Sequence, residues 1–125
     1  MSKEWHALYY FTTEGLKPVK EYIDGLSLRE QAKTLAFIAL LEENGPNLPR
    51  PYADTLEDGI HELRIKLKGT QVRILYFFCY QDIIVLTNVF DKHTQEVPKA
   101  QIKLAKERRA DFIGKHSETD IRGPL

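Results

Sequence analysis

The chain has 125 residues, enough for one domain with its own hydrophobic core and too few for a second one to be expected. Its 18 Lys+Arg balance 18 Asp+Glu, which argues against a generally basic nucleic-acid binder, and the single cysteine, Cys79, excludes a disulfide within the monomer. The longest apolar run, residues 35–41, falls well short of the roughly 20 residues a membrane span requires. The opening MSKEWHALYYF is too charged, and too short in apolar length, for a secretory signal, so a cytoplasmic protein without membrane contact is expected.

Residues 5–11 read as a first strand with Trp5, Ala7, Tyr9 and Phe11 on one side. Pro18 suits the first turn of a short helix, where its missing N–H would have no partner, and Val19, Tyr22, Ile23 and Leu26 recur at helical spacing up to a stop near Gly25. Ser27 and Glu30 are spaced for a capping box that opens a second helix. Its apolar stripe is Leu28, Ala32, Leu35, Ile38 and Ala39, widened by Phe37, Leu40 and Leu41, and Asn44-Gly45 ends it. The two helices are expected to form a hairpin over one face of a sheet.

Residues 45–59, with Pro46, Pro49 and Pro51, read as an irregular surface connection. Three strand patterns follow at 60–68, 72–80 and 83–90, with polar breaks between them, and predict an antiparallel meander. Cys79, among Phe77, Phe78 and Tyr80, reads as a buried inert thiol. Pro98 begins a last helix on which Ile102, Ala105, Arg109 and Phe112 share a face, ending at Gly114. The predicted class is α+β: a compact antiparallel sheet of about four strands, an N-terminal helical hairpin on one face and a C-terminal helix. Residues 1–114 make the domain, and 115–125 a mobile polar tail.

Charge is unevenly spread. Residues 1–59 carry 6 Lys+Arg against 10 Asp+Glu, whereas residues 60–109 carry 10 against 5, so a local positive field can exist on a neutral protein. Alternation in 60–68 puts Leu63, Ile65 and Leu67 on one face and Glu62, Arg64, Lys66 and Lys68 on the other. A two-residue turn at Gly69-Thr70 would set Lys66 opposite Arg73, and one at Gln81-Asp82 would set Phe90 opposite Arg73 with Lys92 just beyond. Like charges facing each other in a sheet cost stability unless an anion lies between them. Gathered on one face, Arg64, Lys66, Arg73, Phe90 and Lys92 suit a phosphodiester: planar guanidinium donors, compact ammonium charges, and a ring for an unstacked base. The competing reading is a solvated basic face, which is also how Lys99, Lys103 and Lys106 read. Glu62, beside Arg64, reads as an ion-pair partner rather than a base. His6, His61, His93 and His116 show no ligand spacing, and the glycines form no phosphate cradle, so neither metal nor cofactor is expected.

The segments Leu56-Glu57-Asp58-Gly59-Ile60-His61-Glu62-Leu63-Arg64, Val72-Arg73-Ile74-Leu75-Tyr76 and Phe90-Asp91-Lys92-His93-Thr94, followed by Pro98, Ile102, Ala105 and Arg108, carry a resemblance. In order and spacing they resemble the phage-derived, HigB-like branch of the RelE/ParE toxin superfamily over roughly residues 5–113. The resemblance implies a RelE-like fold and the toxin of a type II toxin–antitoxin pair, a ribosome-dependent mRNA endoribonuclease. It implies a hetero-oligomer with a small antitoxin, a helix-turn-helix protein by expectation. The family's catalytic positions fall on Arg64, Lys66, Arg73 and Lys92. His93 stands where members commonly have a second Lys and joins the catalytic set as a proton-transfer candidate; Lys68 and Phe90 are the RNA-binding candidates. The tyrosine that RelE uses near the start of the last helix is Pro98 here. Proteins of this fold also include ParE-like DNA gyrase poisons, and a catalytically lapsed binding module is the remaining alternative.

Overall fold

The computed structural model describes residues 4–123. The chain folds as α+β: β1 (His6–Tyr9), α1 (Pro18–Asp24), α2 (Leu28–Asn44), β2 (Ala53–Glu57), β3 (Ile60–Leu67), β4 (Thr70–Cys79), β5 (Ile83–Asp91), α3 (Lys99–Lys115) and α4 (Glu118–Arg122). The strands form one sheet in the order β1-β5-β4-β3-β2. β2 to β5 are antiparallel neighbours, and β1 lies parallel beside β5. The sheet is therefore mixed and five-stranded, where about four antiparallel strands were expected. The fifth is β2, which occupies the stretch read as an irregular connection. Pro46, Pro49 and Pro51 all precede it, so no proline removes a donor from the ladder.

Both faces of the sheet are covered. Val19 and Ile23 of α1 and Ile38 and Leu41 of α2 pack on Leu63, Ile65, Leu67, Val72, Ile74, Ile84 and Leu86. On the other face Ala105 and Phe112 of α3 pack on Ile60, Leu75, Phe77, Ile83 and Val85. β4 is buried on both sides from Val72 to Phe77, as its unbroken apolar run requires, with Arg73 the one charged residue in that stretch. Pro18 sits in the first turn of α1, and α2 opens on the expected capping box, Glu30 N–H donating to Ser27 Oγ at 3.2 Å. The stripe expected on α2 is corrected in part. Thr34, Ile38 and Leu41 are its buried residues; of the five stripe positions only Ile38 is buried, while Ala32 and Ala39 are exposed and Leu28 is 84% and Leu35 47% exposed. Thr34 can be buried because its hydroxyl donates to the Glu30 carbonyl at 2.9 Å.

Two turns set the register. β3 and β4 are joined through Lys68-Gly69, not Gly69-Thr70: Leu67 pairs with Thr70, and both turn residues have positive φ, +49° and +83°. This one-residue move slides each partner by two and leaves Glu62, Arg64, Lys66 and Arg73 on their expected face, while Lys68 passes into the turn and toward Glu30 of α2. Arg73 therefore faces Arg64, and Lys66 pairs with Gln71. Between β4 and β5 the connection is one residue longer than expected, Cys79 pairing with Ile83. A bulge opposite Leu75 and Tyr76 absorbs the extra residue at Thr87, and Phe90 faces Arg73 as predicted.

The polar C-terminal stretch is not a featureless tail over the described residues. Ser117 and Asp120 form a capping box for α4, and Arg122 donates to the Tyr80 carbonyl at 2.8 Å and pairs with Asp82. These contacts hold residues 116–122 against the β4–β5 connection.

Candidate functional site

The α3-facing side of the sheet is apolar at one end and charged at the other. Arg64 of β3, Arg73 of β4 and Phe90 of β5 are aligned partners across three adjacent strands, a row at right angles to the chain direction. Glu62 lies on the same face of β3 and sends a carboxylate oxygen to each arginine: Oε1 is 2.9 Å from Arg73 Nε, and Oε2 is 3.1 Å from an Arg64 terminal nitrogen. The anion that two facing arginines demand is thus supplied by the chain itself.

The three charges differ in access. Glu62 is 3% and Arg73 6% exposed, whereas Arg64 keeps about a third of its side chain in solvent (31%). Arg73 donates to the Val72 carbonyl at 3.2 Å and to Gln71 Oε1 at 3.3 Å. Its Nε and Glu62 Oε1 are both fully buried without an aligned hydrogen bond, so their 2.9 Å approach is a Coulombic contact of poor direction. Burial pulls the Arg73 guanidinium below its ordinary pKa, and the Glu62 carboxylate opposes that pull. Arg64 also meets Asp54 of β2 at 3.3 Å. A hydrogen bond from Arg50 holds that Asp54 carboxyl below the usual range, with Arg64 adding to the effect.

Beside the Arg64 end of this row runs an open groove of about 310 Å³ between the β2–β3 hairpin, the loop after β5 and the start of α3. Glu57, Glu62 and Arg64 line one side, and Lys92, Glu96 and Lys99 the other, so three cations meet three carboxylates; of the row only Arg64 lines the groove, while Arg73 and Phe90 do not. The Lys92 backbone N–H donates to the Gln71 carbonyl at 2.7 Å, which ties that loop to β4. α3 begins at Lys99 with no side-chain cap and no acidic residue in its first turn. A cation at the positive end of a helix dipole is the unfavourable choice for stability, and it makes this corner attractive to an anion.

The sequence-predicted residues are thus only partly assembled. Arg64 and Lys92 face each other across the groove, Arg73 lies behind Glu62, and Phe90 lies next to Arg73 and is half-buried. Lys66 is exposed further along β3 on the same face and lacks the desolvated setting that a proton-transfer role calls for. Lys68 sits in the β3–β4 turn with its ammonium 3.8 Å from Glu30, on the α2 side and away from the groove. His93 is exposed beside Lys92 and is not among the groove's lining residues. Two residues gain a place the sequence reading did not give them. Lys99 lines the groove rather than merely solvating a helix, and Glu62 neutralises both arginines instead of Arg64 alone. A larger hollow of about 580 Å³ beside β1, lined by Tyr9, Phe11, His116 and Ile121 among others, holds none of the row's cations.

Among the described residues no three His, Cys, Asp or Glu side chains come together as a metal site, and no helix is long and apolar enough to cross a membrane. No curated protein matches the chain significantly. Residues 21–110 match the family described as Phage derived protein Gp49-like (DUF891), a family associated with RelE- and HigB-like toxins and so consistent with the toxin of a toxin–antitoxin pair. That match takes in β2 to β5 and all but the last turn of α3, the elements that build the charged groove, and 90 of the 125 residues. The chain belongs to the family of phage-derived Gp49-like proteins.

Proposed function

We propose that this protein is the toxin of a type II toxin–antitoxin pair and acts as a ribosome-dependent mRNA endoribonuclease. The observation that carries the reading is the row Arg64–Arg73–Phe90 across β3, β4 and β5, whose Arg64 enters a groove that Lys92 and Lys99 also line. Guanidiniums, ammoniums and a ring at one corner match the parts of one RNA linkage: phosphate oxygens, backbone charge and a base face.

The reaction that suits such a site is attack of the ribose 2′-OH on the adjacent phosphorus. The new O2′–P bond forms as the P–O5′ bond breaks, leaving a 2′,3′-cyclic phosphate and a 5′-hydroxyl. Arg64 and Arg73 stabilise charge on the phosphoryl oxygens, and Lys66 adds a further charge along the strand. Lys92 holds the phosphate from the opposite wall. Phe90 stacks a base, while Lys68, held near Glu30 on the α2 side, takes no part. His93, beside Lys92, takes the proton released by the 2′-OH as the O2′–P bond forms, and Lys92 gives one to the leaving O5′.

The groove is shallow and open, so alignment of the 2′-OH with the scissile bond falls to the ribosome that presents the mRNA. The purified protein is accordingly expected to be nearly inert on naked RNA. A small helix-turn-helix antitoxin with an acidic segment is the partner expected to hold it inactive in a hetero-oligomer.

A cell-free translation reaction tests this directly. Wild-type protein should cut mRNA on programmed ribosomes and leave cyclic phosphate ends, with little cutting when ribosomes are omitted. Brisk cleavage of free RNA would contradict the ribosome-dependent scheme. One observation favours a second reading: with Arg73 buried against Glu62, a lapsed binding module or a ParE-like gyrase poison would look the same at this corner. Intact mRNA together with trapped gyrase–DNA breaks would establish the poison.

A further inference from the structure

Glu62 has no role in the scheme above, yet it has the least accessible carboxylate in the groove wall and touches two of the residues the scheme depends on. We propose that Glu62 is the site's internal counter-anion: in the RNA-free protein its carboxylate holds Arg64 and Arg73 in place, and an RNA phosphate competes with it for both guanidiniums. This rests on the reading of the groove as an RNA site and adds a positioning residue that also sets how tightly RNA is held.

Three features carry it. First, Arg64 and Arg73 are direct cross-strand partners, an arrangement that repels, and Glu62 joins them with one oxygen at 2.9 Å from Arg73 and the other at 3.1 Å from Arg64. A carboxylate and a phosphodiester both present two anionic oxygens to such a pair of forks. Second, the buried contact is poorly made. Glu62 Oε1 and Arg73 Nε are out of reach of water and without an aligned hydrogen bond. A purely structural ion pair at that depth would gain most from complete hydrogen bonding, and this one leaves directional capacity unused. Third, Glu62 lines the groove together with Arg64 and Lys92, so an anion arriving there meets the carboxylate and Arg64 directly, and reaches Arg73, buried outside the lining, only by taking the place of the carboxylate.

The consequence has a sign opposite to that of ordinary site damage. Removing the Glu62 charge should tighten RNA binding, whereas a residue that only supports the fold would, when replaced, weaken binding or leave it alone. The probe is a short single-stranded RNA with every ribose 2′-O-methylated, which blocks cleavage, titrated by fluorescence anisotropy over a range of salt concentrations. Glu62→Gln keeps the volume and loses the charge. It is expected to bind roughly fivefold to tenfold tighter than wild type at low salt, with the slope of log K against log salt steeper by about 0.7 for one additional phosphate contact. Its melting temperature without RNA should fall. The double variant Glu62→Gln, Arg73→Gln should lose the gain, because the gain is exerted through Arg73.

If Glu62→Gln fails to fold, Glu62→Asp serves instead. Its shorter reach cannot bridge both arginines, and the inference requires affinity above that of wild type. Unchanged or weaker binding by a folded Glu62→Gln or Glu62→Asp, with the wild type binding measurably, overturns the counter-anion assignment and leaves the nuclease reading standing. Absence of salt-dependent binding by wild type and variant alike also overturns the counter-anion assignment, whereas the nuclease reading fails only if programmed ribosomes yield no cleavage.

Discussion

Arg64 and Arg73 stand opposite each other on β3 and β4, and both reach the carboxylate of Glu62, two residues along β3. That relationship makes the candidate site and the local stability of the sheet one problem, since the guanidiniums needed for phosphate are also charges the core must tolerate. It also separates two kinds of substitution, those that remove a groove contact and those that unbalance a buried charge.

Glu62→Ala belongs to the second kind. It leaves Arg73, 6% exposed, beside Arg64 without its counter-charge, and breaking a buried pair by removing one partner costs about 3–5 kcal/mol. Urea denaturation should show that loss, and the double replacement of Glu62 and Arg73 by Leu should recover much of it. A Glu62→Ala protein as stable as wild type would mean that the pair is solvated in solution.

Lys92→Ala belongs to the first kind. Lys92 lines the groove from a loop whose backbone remains tied to Gln71, so the fold should survive while cleavage on ribosomes falls by about 10²-fold, the scale for loss of one charged donor. Arg64→Ala should cost as much or more. Circular dichroism melts alongside cleavage assays would separate lost chemistry from lost structure.

Much of this arrangement was legible in the alternation of 60–68 and in the turn signals that follow it. The faces came out right because the side-chain period of a strand is two, so misplacing the β3–β4 turn by one residue changed Arg73's partner from Lys66 to Arg64 without moving either side chain to the other face. Phe90's place opposite Arg73 survived for a different reason: a longer turn and the bulge at Thr87 cancel. Bulges have no reliable local signature, so that agreement was not earned by the sequence pattern. β2 was missed because three prolines dominated the reading, although Asp58-Gly59, both at positive φ, was a hairpin signal in plain view. The parallel placement of β1 depends on long-range packing that no local pattern reports. Hydrophobicity alone places Leu28 and Leu35 in the buried stripe of α2, where both are exposed, and it gives no sign of the buried Thr34, whose hydroxyl is satisfied within its own helix.

Glycine substitutions should discriminate between tight and open positions. A Cβ on Gly45, where φ is +53°, would fall within the Trp5 indole, so Gly45→Ala should cost about 3 kcal/mol from strain and overpacking. Gly15 also has positive φ, +89°, but nothing lies within 4 Å of the added atom, and Gly15→Ala should cost only about 1 kcal/mol. Chemical denaturation midpoints of the two variants, compared with wild type, check the difference.

Thiol chemistry reports on the apolar end of the same α3-facing side. Burial pushes the Cys79 thiol up from 9.0 to about 11, with the Glu118 carboxylate of α4 adding to the effect. Native protein should therefore react slowly with iodoacetamide at pH 8 and much faster once unfolded. Because the folded value is the higher one, any stability from this group is fully present below pH 9.0 and is lost as pH rises through about 11. Rapid alkylation of the native state would place Cys79 outside the cluster beneath α3.

The most direct measurement of the central claim is a map of mRNA 5′ ends in cells producing the protein without its antitoxin. The account predicts new 5′-hydroxyl ends inside translated reading frames, held in phase with codons, and their disappearance with Arg73→Ala or Arg64→Ala. Growth arrest with mRNA left intact, or undiminished cleavage by those variants, would contradict it.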